Sequence, residues 1–97
     1  MPLVPFGSYE PLVPDTAFVA ENATLVGQVT LGANSVVMFG AVLRADRDAI
    51  HLGAGSNLQD NVVVHGDPGF PAHIGAGVSV GHAATVQLAR RRVGRAQ

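Results

Sequence analysis

The stretch Val19-Ala-Glu-Asn-Ala-Thr-Leu25-Val-Gly-Gln-Val-Thr-Leu31-Gly-Ala-Asn-Ser-Val-Val37-Met-Phe-Gly-Ala-Val-Leu43 repeats an aliphatic residue every six positions. The spacing resumes at Leu52, Leu58 and Val64, and again at Ile74, Val80 and Val86, so eleven aliphatics mark eleven hexads. Glycine follows the aliphatic at Gly32, Gly53, Gly75 and Gly81, and a small or β-branched residue sits four places after it at Ala23, Val29, Ser35, Ala41, Ser56, Val62, Val78 and Ala84. This period matches neither an amphipathic helix nor the alternation of a free-standing strand. It is the pattern of a hexapeptide solenoid, in which three hexads close one triangular coil and the aliphatics point inwards. The chain is therefore expected to be an all-β parallel β-helix of about four coils over residues 19–87.

The count breaks twice, with nine residues from Leu43 to Leu52 and ten from Val64 to Ile74. Residues 44–51 and 66–73 are read as small loops pushed out of the solenoid at a corner. The first places four charges close together, and the second carries turn chemistry at Asp67-Pro68-Gly69. Residues 1–18 hold four of the six prolines, which disfavours a helix and predicts an extended segment leading into the first coil. The repeat stops after Val86, and residues 88–97 form an Arg-rich tail.

Composition narrows the function classes. Ninety-seven residues allow one small domain, and only five of the largely aliphatic apolar residues are aromatic, as narrow coils require. No apolar run approaches a membrane span, and the absence of cysteine excludes disulfides and thiolate metal sites. The N-terminus lacks the basic and apolar regions of a secretory signal, so a cytoplasmic location is the expectation. Net charge is −1, but four of the six arginines lie in the last eight positions, and the chain up to Val86 carries −5. An acidic body argues against nucleic-acid binding by the repeat surface.

The register also predicts geometry. Residues three hexads apart stack at about the spacing of neighbouring strands, roughly 4.8 Å. Discounting the two loops, Arg44, His65 and Gln87 form one column. On another face Asp60 lies beneath His82. His51 and His73 each precede an inward aliphatic and also stack, either as exposed structural residues or as a surface pair. His65 and His82 leave different sides of the triangle, so they meet only if parallel prisms associate. In a trimer of such prisms, a metal shared between subunits is the natural reading.

Arg44-x-Asp46, Asn57-x-Gln59-Asp60, His65 followed by Pro68-Gly-Phe-Pro71, and Val80-Gly-His82, in this order, resemble the gamma-class carbonic anhydrase family over about residues 9–86. The resemblance implies a left-handed β-helix, a homotrimer, carbon dioxide and bicarbonate as substrates, and zinc (or iron or cobalt) between subunits. His65 would be a metal ligand from one subunit and His82 a ligand from its neighbour. Gln59 and Asn57 would position the metal-bound water and bicarbonate, while Arg44, Asp46 and Asp60 would form the interface network. The family's third ligand is a histidine five residues after the second, and this chain has Gln87 there. Catalytic zinc ordinarily takes three protein ligands plus water, so Gln87 predicts weak binding and impaired hydration. The family also continues for further coils, and a truncated or out-of-frame end is the expectation for residues beyond about 86. Two other classes stay open: a non-catalytic hexapeptide scaffold or binding subunit, and a hexapeptide-repeat acyltransferase using a histidine base.

Overall fold

The computed structural model describes residues 2–66, 68, 69, 71–81 and 84–88, with residues 85–88 as backbone. Among the described residues there is no helix, and the chain is a parallel β-solenoid of about four turns. Its strands are β1 (Leu3–Val4), β2 (Phe18–Val19), β3 (Thr24–Leu31), β4 (Val36–Val37), β5 (Val42–Leu52), β6 (Asn57–Leu58), β7 (Val63–Gly66), β8 (Ala72–Ile74), β9 (Ser79–Val80) and β10 (Thr85–Leu88).

Three stacks of strands make the faces. The first runs β1, β3, β5, β7, β10, with Leu3, Leu25, Leu43, Val64 and Val86 in register. The second uses the later halves of β3 and β5 followed by β8, aligning Leu31, Leu52 and Ile74. The third is the separate sheet β2-β4-β6-β9, aligning Val19, Val37, Leu58 and Val80. Leu25, Leu43, Leu58 and Val64 are fully buried, as expected of inward positions, whereas Val19 at the start of the stack is half-buried. Each fully buried Leu contributes about 2 kcal/mol of apolar transfer free energy.

The corners explain the small residue four places after each aliphatic. Ser35, Ala41, Ser56 and Val62 each donate their N–H to the carbonyl three residues back, at Gly32, Met38, Gly53 and Gln59. The residue before each of them, Asn34, Gly40, Gly55 and Asn61, has φ between 59 and 74°, so these are turns that need a left-handed third residue. The fourth residue then points into the core, where Ser35, Ala41, Ser56 and Val62 are all buried.

Residues 2–19 wrap as a preliminary coil. Leu3 pairs with Leu25, Leu12 bridges Thr30, and Phe18 pairs with Val36, so the first and third faces gain a lower strand and the second a single bridged residue. The first irregularity is a bulge inside continuous β5: Gly27 pairs with Ala45 and Val29 with Ile50, leaving residues 46–49 opposite Gln28 alone. The second separates β7 from β8 and turns through Gly69 at φ 82°. Leu88 still pairs with Gly66, while residues 89–97 of the Arg-rich tail lie outside the described residues.

Candidate functional site

Two groups of polar side chains occupy different sheets. On the first face, β5 and β7 pair Arg44 with His65, and β7 and β10 pair His65 with Gln87. The column expected from hexad counting is thus present in the backbone register. Arg44 is exposed and His65 half-buried. Arg44 Nε lies 3.4 Å from Asp46 Oδ2, while Asp46 Oδ1 is buried with no hydrogen-bond partner among the described residues. Arg44 and Asp46 lie two residues apart on the outward side of β5, with Ala45 buried between them, and Asp46 borders a depression lined by Phe6, Tyr9, Gln28 and Arg47.

On the third face, β6 carries Asn57, and the following corner carries Gln59 and Asp60. Asn57 Oδ1 accepts a hydrogen bond from Ser79 Oγ at 2.9 Å, and Gln59 Nε2 donates to the same hydroxyl at 3.4 Å. A relay Gln59–Ser79–Asn57 results. Among the described residues it leaves the Asn57 amide N–H2 free to donate and the Gln59 carbonyl free to accept. Asp60 is exposed on the turn and joins neither group by a hydrogen bond or ion pair among the described residues. Ser79 was not among the expected site residues. Its signal was present all the same, since Ser79 precedes Val80 as Asn57 precedes Leu58, one coil below.

His82 lies outside the described residues. Among those described, no three His, Cys, Asp or Glu side chains come together in a way that could hold a metal. The donor chemistry agrees. His65 is the only imidazole of its column, flanked by the guanidinium residue Arg44 and the carboxamide residue Gln87 in register. A single imidazole beside a cation does not make a zinc site, so the His65 column of one chain does not by itself fit the metal that the family resemblance implies.

No protein-family model matches the chain. Among curated proteins it is 43% identical over 82 residues to gamma carbonic anhydrase 3, mitochondrial, of Arabidopsis thaliana, covering 78% of this chain and 32% of that protein. It is 46% identical over 72 residues to the "Probable carbonic anhydrase" of Methanocaldococcus jannaschii, covering 74% and 45%. Among solved structures, a hexapeptide transferase family protein from Anaplasma phagocytophilum superposes with a TM-score of 0.66 at 37% identity, covering 87% of this chain and 52% of that one. The chain thus spans about a third to a half of the length of the curated relatives it matches. The resemblance read from the sequence is borne out: this is a hexapeptide-repeat solenoid, and curated relatives at 43% and 46% identity are named gamma carbonic anhydrase and probable carbonic anhydrase.

Proposed function

We propose, taking that kinship as the starting point, that the chain presents part of a carbon dioxide/bicarbonate site that a second copy completes, and that Gln87 leaves the site short of an imidazole. The observation that carries this reading is the Arg44–His65–Gln87 register, which sets a carboxamide residue where a column-mate imidazole would stand. Zinc, or iron or cobalt in its place, would draw on His65 of one copy and His82 of another within a homotrimer. The donor set is then one imidazole short of the three protein ligands that catalytic zinc ordinarily takes.

The chain's own polar groups suit the substrate. Bicarbonate carries both a hydroxyl donor and anionic acceptor oxygens. In the Gln59–Ser79–Asn57 relay, the free Gln59 carbonyl accepts from the hydroxyl and the free Asn57 N–H2 donates to an oxygen. Arg44 supplies positive charge on the neighbouring sheet. The unpartnered Asp46 Oδ1 supports a subunit boundary, because a buried carboxylate oxygen costs about 1–3 kcal/mol or more when left without a donor. Asp60, exposed on its corner, belongs to the same boundary in this reading. No helix among the described residues is long and apolar enough to cross a membrane. The proposed setting for this site is the cytoplasm.

A second reading, a binding or scaffold subunit without turnover, is favoured by the same Gln87. Zinc content by elemental analysis and carbon dioxide hydration by stopped flow, on this chain and on Gln87→His, decide between them. The first reading expects substoichiometric zinc and weak hydration, both raised by Gln87→His. Hydration absent from both chains, with Gln87→His loaded with zinc, supports the scaffold reading.

A further inference from the structure

We propose that His51 and His73 form a second, independent metal site on the second face of the prism, a two-imidazole chelate for a borderline divalent transition-metal ion with Cu2+ the preferred one. The two residues are register partners across β5 and β8, so their side chains leave parallel strands in the same direction about 4.8 Å apart. Their rings stack with centroids 4.6 Å apart and planes 22° from parallel. An imidazole nitrogen binds such an ion at about 2.0–2.1 Å, so a shared ion needs the two nitrogens about 3 Å apart. The stacked rings present their in-plane lone pairs side by side, so chelation requires both side chains to rotate about χ1 and χ2 until those lone pairs converge on one ion.

The surroundings leave room for it. His51 and His73 line an open depression of about 370 Å³ together with Thr30, Gly53 and Gly75. The floor is glycine for a reason unrelated to any ligand: a Cβ on Gly53 would lie 2.5 Å from Ala76 N and from Gly75 C, inside the next coil's backbone. A side chain is therefore excluded at Gly53, beside the imidazoles. Thr30 continues the column below His51 and offers a neutral oxygen, with water to complete the shell.

The protonation state also suits an ion. Burial first, and then the neighbouring His73, lower the proton affinity of His51, so its ring keeps a free lone pair at neutral pH. Among divalent first-row ions, nitrogen donors favour Cu2+ most strongly. This pair is separate from His65, which sits on the first face, and it owes nothing to the proposed bicarbonate chemistry.

The test is titration of the full chain with Cu2+ alone, followed by calorimetry and pulsed electron paramagnetic resonance. The expected result is one ion held by two imidazoles. His51→Thr and His73→Thr, which extend the residue type of Thr30 along the column, each weaken binding about tenfold or more by removing the chelate's effective concentration. Glu10→Gln and Glu21→Gln, exposed acids away from the column, leave the affinity unchanged. A one-imidazole spectrum, undiminished binding in both threonine variants, or loss of binding in either glutamine variant overturns the proposal. Should His51→Thr fail to fold, the exposed His73→Thr and the spectrum of the unmodified chain decide the matter.

Discussion

His65 stands one strand above Arg44 in strict register, so a guanidinium and an imidazole share one column on the first face of the prism. Arg44 also pairs with Asp46 at 3.4 Å, with side chains 53% and 30% exposed. An ion pair this open contributes under about 1 kcal/mol to the fold, so Arg44→Ala should leave the melting temperature nearly unchanged. Its effect is expected in assembly instead, where Asp46 Oδ1 lacks a donor within its own chain among the described residues. Sedimentation velocity should show a larger loss of oligomer for Arg44→Ala than for Arg47→Ala. Equal loss in the two variants removes the interface assignment.

Two buried serines at equivalent corners should behave oppositely. Ser56 Oγ donates to the Gly75 carbonyl and accepts the Val78 N–H at 2.9 Å, tying its coil to the next. Ser35 Oγ is equally buried with no partner among the described residues. Ser56→Ala is expected to cost about 1–3 kcal/mol, because it orphans a buried donor, while Ser35→Ala is neutral or stabilising. Urea midpoints at constant slope check this, and equal midpoints for the two variants count against the corner bonding described.

The glycines divide in the same way. Gly53 abuts the backbone of the next coil, so Gly53→Ala should abolish cooperative folding. Gly55 has open space around it and φ of 70°, so Gly55→Ala meets only the left-handed penalty of about 1–2 kcal/mol. Asn34 and Asn61 occupy equivalent turn positions, and Gly55→Asn should therefore melt above Gly55→Ala. Thermal unfolding by circular dichroism distinguishes the three.

Counting by six made most of this architecture legible, because each inward aliphatic fixes which residues stack above it. The Arg44–His65–Gln87 and His51–His73 columns follow from that count alone. Residues 2–19 were less legible. Leu12 bridges Thr30 and is exposed, and Val13, which packs on the core, stands six residues before Val19 but ten after Leu3 with prolines intervening, so the preliminary coil is visible only in the pairing. The first loop was misleading in another way: residues 46–49 bulge while β5 remains extended, which no local propensity distinguishes from a turn. Ser79 escaped notice because a serine before a core valine looks like ordinary solvent-facing polarity until Asn57 is placed beneath it.

His51 should give the stability curve a measurable slope. Desolvation, followed by the neighbouring His73, holds its proton affinity below the ordinary value of 6.5. The flanking residues of its column are Thr30 on β3 and His73 on β8, so no acid in the column offsets this. The unfolded chain then binds more protons than the folded one between the lowered native value and 6.5, and stability rises with pH across that window. Above 6.5 the contribution is constant, and as pH falls below it stability declines until the native imidazole is also protonated. Urea unfolding of the metal-free chain from pH 7.5 down to about 5 should show this decline. His51→Thr should flatten the curve, and His73→Thr should flatten it in part by removing the second cause. An unmodified slope in His51→Thr would show that the acid sensitivity arises elsewhere in the chain.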